Sequence, residues 1–240
     1  MGAKTATRFT GMALVLGGLV GVVLPFIRPG GLVVDPLERA STLLERVRVL
    51  AQNATFTHTS SLLGSLGLFL LIFGLIGVRR ALGEGTVKRV LGTLGVFLLA
   101  FGGIGLAFGY GMNHIIAHTI NHGGDATDPR TLFTIAVTIQ AVKAGITIIS
   151  GYGYLLGFAC IAAGLFLHFS SGLHRRLAVL MLVLSAAALV SLLIGDHFHD
   201  LAGTFYTLAD YATMPLSLWA LILGVGMTRE HTGLTPGGEG

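Results

Sequence analysis

Six apolar stretches alternate with short polar segments along the chain, near residues 9–27, 61–78, 90–110, 150–168, 177–195 and 214–227. Each reaches or approaches the roughly 20 helical residues needed to cross ~30 Å of hydrocarbon. The last is the shortest and begins at Pro215. The first follows Lys4 and Arg8, as the apolar part of a signal peptide would. Its end, Leu24-Pro25-Phe26-Ile27-Arg28, offers no small-x-small cleavage site, which predicts a retained helix.

Two polar-rich segments carry helical patterns of their own. Residues 35–53 read as an amphipathic helix, with Asp35 as N-cap, Glu38 three residues on, Pro36 in the first turn, and Leu37, Leu43, Leu44, Val47 and Leu50 as the apolar stripe. The third span is expected to continue past the bilayer through His118, and the fourth to begin near Thr131. Residues 131–168 as one helix would run roughly 57 Å at ~1.5 Å per residue. That segment therefore either projects beyond the membrane or breaks near Gly151-Tyr152-Gly153.

Composition agrees with lipid as the solvent. The chain is 53% hydrophobic and 11% charged, against about 25% charged for a soluble domain, too little polar surface to cover a water-soluble globule. Its 36 glycines suit helices that approach closely at small residues. Cys160 stands alone, which excludes an intrachain disulfide framework and any CxxC metal spacing.

Charge gives the direction. The N-terminus, residues 79–89, residues 170–176 and the C-terminus together hold nine basic residues against three acidic ones, a net +6. The opposite side holds Arg28, Arg39, Arg46, Arg48, Arg130 and Lys143 against eight acids, a net −2. By the positive-inside rule the first side is cytoplasmic. The overall charge of +4 is thus a topology signal, and no nucleic-acid partner is needed to explain it. The expected architecture is an all-α, six-helix transmembrane bundle in a prokaryotic plasma membrane, with both termini cytoplasmic. Residues 1–230 form one domain, with a small helical extracytoplasmic cap from residues 29–58, 112–149 and 196–213, and residues 231–240 form a flexible tail.

The candidate chemistry lies on the outer side. Six of the nine histidines fall at outer helix ends or loops: His58, His114, His118, His122, His197 and His199. His114 and His118 are four apart and share a helix face. Asp196-His197-Phe198-His199-Asp200 supplies two imidazoles and two carboxylates. Two histidines at i,i+4 offer two nitrogens to one ion, and a second segment completes a tetrahedral set. The expected ligands are therefore His114, His118, His197 and His199. His58, His122, Asp196 and Asp200 are secondary candidates, the carboxylates also as acceptors that orient a ligating ring. Nitrogen and oxygen donors without thiolate point to zinc, copper or iron, and haem held between the two segments is an alternative. Against this stands the ordinary occurrence of histidine and tyrosine at membrane interfaces. Gln140 and Lys143 lie at a similar height.

Other patterns carry less. Gly109-Tyr110-Gly111 and Gly151-Tyr152-Gly153 lack the Thr-Val and re-entrant context of a potassium filter. No ionisable residue falls near the centre of any span, which weighs against an ion-coupled carrier. Taken together, the first span, the Asp35-Pro36 start of the outer segment, Phe56 ahead of the second span, and Gly153-Tyr154-Leu155-Leu156-Gly157-Phe158 before a short basic turn resemble a group of prokaryotic six-helix membrane proteins known only as a domain of unknown function. The resemblance runs over about residues 9–227. It implies fold and topology and brings no active site with it.

Two functions from different classes follow. One is a metal- or haem-binding outer face serving redox chemistry, metal handling or a membrane enzyme complex. The other is a non-catalytic accessory subunit whose outer cap docks another membrane subunit or a second copy of the chain. Histidine titration near neutrality adds a weaker third, a pH sensor.

Overall fold

The computed structural model describes residues 3–37, 42–82, 87–123 and 128–229, excluding the side chains of residues 3–5 and 199; the expected tail lies outside this set. Seven α-helices and no strand occur among the described residues. Six are long and apolar enough to cross a membrane: α1 (Ala3–Ile27), α3 (Ala54–Ala81), α4 (Val87–His122), α5 (Pro129–His168), α6 (Leu173–His197) and α7 (Ala202–Thr228). The short α2 (Leu43–Gln52) precedes α3, and a 3-10 turn (His199–Leu201) precedes α7.

The six long helices close into a ring in which each packs on its neighbours in the order α1, α3, α4, α5, α6, α7 and back to α1. Sequence-adjacent helices joined by short loops run antiparallel, so the start of α1 and the end of α7 lie at one end, with Thr10 against Gly77 and Gly11 against Thr228. The basic residues Arg8, Arg79, Arg80, Lys88, Arg89, Arg175, Arg176 and Arg229 belong to this end. Large apolar side chains such as Phe69, Phe73, Phe97, Phe101 and Phe108 stay exposed on the ring's surface, as a lipid-facing surface requires.

Small residues set the tightest seam. A Cβ on Gly95 would lie 2.8 Å from the carbonyl oxygen of Gly157, and one on Gly157 would lie 2.7 Å from that of Gly95. One heptad on, a Cβ on Gly102 would collide with the backbone of Tyr154 and Ser150. Backbones at this separation gain dispersion contacts that lipid cannot match.

Two separate hydrophobic clusters result. The larger runs from the terminal end to Leu192 and Ala209 in the far half, and in it Leu14, Leu75, Leu99, Phe158, Ile161, Leu165, Leu216, Trp219 and Leu223 are fully or almost fully buried. Phe158 and Trp219 meet across the ring axis at 6.2 Å between centroids. The smaller cluster lies at the far end, where Val47 and Leu50 of α2 pack on Ile116 of α4 and Ala136 of α5. Asn121 of α4 donates to the Ala51 carbonyl at 2.9 Å, and Thr57 of α3 donates to that of Leu50 at 2.8 Å, fixing α2 in place.

At three places the structure corrects a sequence expectation or decides between its alternatives. The amphipathic helix is shorter than 35–53 and is capped by Thr42, not Asp35. The Thr42 hydroxyl accepts from Glu45 N–H, and the Glu45 carboxylate accepts from Thr42 N–H at 2.7 Å, a complete capping box. Asp35 sits at φ 47° and instead accepts a bond from Asn53 at 3.1 Å; Glu38, expected as its partner, lies outside the described residues. Secondly, α5 does not break near Gly151. It is one 40-residue helix, opened by an Asp128 cap with Pro129 in its first turn, and α4 likewise continues through His122. Thirdly, the last span begins at Ala202, so residues 202–213, expected in the cap, belong to α7, with Pro215 inside it. Pro25 lies similarly inside α1.

Candidate functional site

Along the outside of α3 and α4 the far-end histidines form a column. His58 Nδ1 and His114 Nδ1 are 2.7 Å apart, joining the two helices, with the ring centroids at 4.1 Å. His118 lies one turn on, its ring parallel to that of His114 at 6.4 Å, and His122 follows at 4.9 Å from His118. The i,i+4 spacing of the three α4 histidines produces this alignment. His58 is half-buried; the others are exposed.

The α6–α7 corner is built differently. Asp196 accepts hydrogen bonds from Tyr206 at 2.8 Å and from Tyr152 at 3.1 Å, so one carboxylate ties α5, α6 and α7 together. It serves the tyrosines, and among the described residues it orients no imidazole. His197 donates from Nδ1 to the Leu193 carbonyl at 2.9 Å, one turn back on its own helix. Asp200 is exposed in the 3-10 turn, and the side chain of His199 lies outside the described residues. In the ring, α4 neighbours α3 and α5, whereas α6 neighbours α5 and α7. His114 and His118 therefore stand on a helix that does not adjoin the one carrying His197. No group of three or more His, Cys, Asp or Glu side chains placed to hold a metal ion occurs among the described residues. The structure brings His58 to His114, and it ranks that secondary candidate above His197 as a partner.

A second polar group, inside the ring, lies between the two hydrophobic clusters. Arg28, just after α1, makes a bidentate ion pair with Asp210 of α7, the Nη1–Oδ1 arm at 3.3 Å. Asp210, helped by Tyr110 and Tyr211, holds the Arg28 guanidinium above its ordinary pKa even though burial opposes this. Lys143 of α5 lies against α4, where a Cβ on Gly109 would be 3.8 Å from its side chain. The Arg28 and Asp210 side chains nevertheless keep 28% and 42% of their surface accessible, so they line open space. Gln140 is 3% exposed, and its Oε1 and the Oδ1 of Asn113 are buried without a hydrogen-bond partner.

Sequence reading picked out Gln140 and Lys143 and set Tyr110 in the outer half, but missed the Arg28–Asp210 pair and Asn113. A usable signal existed for the ion pair. Arg28 ends a long charge-free run, and Asp210 is the only charged residue in 201–227. Starting the last span after Pro215 hid it by leaving Asp210 in a loop.

Comparison with family models, with curated proteins and with solved structures finds no match for this chain.

Proposed function

We propose that the chain is a multi-pass protein of a prokaryotic plasma membrane, with cytoplasmic termini and an extracytoplasmic far end that binds a transition-metal ion at the His58–His114 pair. The positive-inside rule supports the orientation, because one end carries the excess of Lys and Arg. The 2.7 Å approach of two imidazole nitrogens from different helices supports the site. At that distance a single proton bridges two neutral rings, and an ion replacing the proton gains both nitrogens.

The separation favours one ligand geometry. With metal–nitrogen bonds of ~2.0–2.1 Å, tetrahedral ligation spaces two nitrogens by about 3.3 Å and right-angled ligation by about 2.9 Å. Haem held between two axial imidazoles needs about 4 Å. The pair is nearest the right-angled arrangement, which square-planar Cu(II) prefers over zinc, with solvent supplying the remaining positions. The protein purified in detergent is expected to retain copper, and His58→Ala or His114→Ala is expected to remove it. A preparation without metal, whose thermal stability ignores added copper, zinc and haem, would falsify the reading.

A second reading, a non-catalytic accessory subunit whose far-end cap docks a partner, is favoured by α2, which leaves Leu43 and Leu44 exposed at 37% and 39%. It predicts that alanine at His114 and His118 leaves metal content unchanged and alters only what co-purifies.

A further inference from the structure

We propose that His118 and His122 form an entry site that captures a copper ion from water and hands it to the His58–His114 pair. The ion is then cargo that moves along the column. This rests on the metal reading above and adds to it a second site and a direction of travel. Three observations carry it.

The first is that the four rings divide into a closed pair and an open one. His58 Nδ1 and His114 Nδ1 face each other at 2.7 Å, and a proton shared between them occupies the lone pairs that an ion would need. That pair takes up an ion only once it is opened. His118 and His122 make no hydrogen bond among the described residues, and both are exposed. A neutral imidazole without a partner keeps one nitrogen lone pair free. Two such rings at i,i+4 on a helix offer two nitrogens to one ion.

The second is spacing. The His118 ring lies 4.9 Å from that of His122 and 6.4 Å from that of His114, centroid to centroid. All three stand on one face of α4 at i,i+4 steps, so His118 has a neighbour at ligand-sharing spacing on each side. Its resting orientation favours the outer one. His118 is therefore the shared ligand of the transfer. As it swings toward His114, a His114 nitrogen bonds to the ion while the His122 nitrogen leaves, and His58 then replaces His118. Each step makes one copper–nitrogen bond for one broken. The metal stays Cu(II), and the proton between His58 and His114 is released to water.

The third is depth. Measured along α4 from Val87, His114 stands roughly 40 Å away and His122 roughly 52 Å away, at ~1.5 Å per residue. A bilayer with both headgroup layers is ~40–45 Å thick. The closed pair thus lies at the headgroup boundary and His122 in water. An ion arriving from water meets the open pair first.

The test adds Cu(II) from a glycine buffer to the metal-free full chain in detergent, measuring stoichiometry at equilibrium and loading rate by stopped flow. The unaltered chain is expected to bind one tight and one weaker equivalent, with a loading rate that levels off as copper rises and the entry site fills. His122→Ala is expected to keep the tight equivalent and lose the weaker one. It should load about tenfold more slowly, because one of the two nitrogens that hold the arriving ion is gone, and at a rate linear in copper. His58→Ala is expected to do the reverse, losing the tight equivalent and keeping the weaker. Unaltered loading and stoichiometry in both His118→Ala and His122→Ala would overturn the hand-over while the metal reading stands. A tight equivalent that survives both His58→Ala and His114→Ala, or a chain that takes up no copper, would overturn the metal reading and this inference with it.

Discussion

The two halves of the ring solve helix association by opposite means. Near the termini, backbones touch at glycine and the axis is filled by Phe158 and Trp219. Toward the far end, the same helices are joined by an ion pair, by tyrosines on a shared carboxylate, and by the docked α2. Close packing leaves little space near the termini, where the pocket beside Thr10, Gly77 and Met227 is about 50 Å³. Polar bridges leave accessible surface on Arg28 and Asp210, and with it the capacity to bind something.

The contrast can be broken most directly along the α4–α5 seam. At Gly102 an added Cβ meets the backbone of α5, whereas at Gly109 it meets only the Thr147 hydroxyl at 3.2 Å and the Lys143 side chain at 3.8 Å. Gly102→Val is therefore expected to cost about 3 kcal/mol or more through overpacking, enough to abolish a monodisperse peak in size-exclusion chromatography. Gly109→Ala is expected to change the unfolding midpoint little. Equal damage from both would mean that the far half is packed as tightly as the near one.

Breaking the ion pair comes next. Asp210→Asn leaves Arg28 charged without its partner. A fully buried pair would lose ~3–5 kcal/mol, but the exposure of these side chains screens the interaction and reduces the expected cost to about 1–2 kcal/mol. The pH dependence of the Arg28 contribution follows from its raised pKa. Such a contribution is complete below the ordinary arginine value and is lost only as pH climbs through the raised one. The Asp210→Asn penalty in thermal unfolding should thus be the same at about pH 7 and about pH 10.

Smaller effects sharpen the picture. Asp196→Ala removes the acceptor of two tyrosine hydroxyls at an exposed site and should cost about 1 kcal/mol. A double-mutant cycle with Tyr206→Phe should show less than additive loss. Thr42→Ala removes one arm of the α2 capping box, worth about 1 kcal/mol locally, and should speed hydrogen exchange across α2 with no shift in the global midpoint.

These contrasts also show what a sequence can carry. The spans were legible because each needs ~20 apolar residues regardless of neighbours. The start of α7 was not, since Thr204, Thr207 and Asp210 lower its hydropathy, and Asp210 meets its partner Arg28 only in the folded ring. Asp35-Pro36-Leu37-Glu38 and Thr42-Leu43-Leu44-Glu45 both fit a capping box, and local pattern does not rank them. The histidine face on α4 followed from helical period. Its partner did not, because ring order decides which corners meet, and it set His58 beside His114 and placed His197 two helices away.

The two prolines inside helices give the ion pair a mechanical meaning. A proline in a helix removes the bond to the carbonyl four residues earlier, so α1 lacks one at Gly21 and α7 lacks one at Tyr211. Arg28 and Asp210 lie beyond these weakened points, on the neighbouring tips of two adjoining helices. The guanidinium and carboxylate therefore cross-link the two helices just past the point where each backbone ladder lacks a rung, so a side-chain bond stands in for two missing backbone ones.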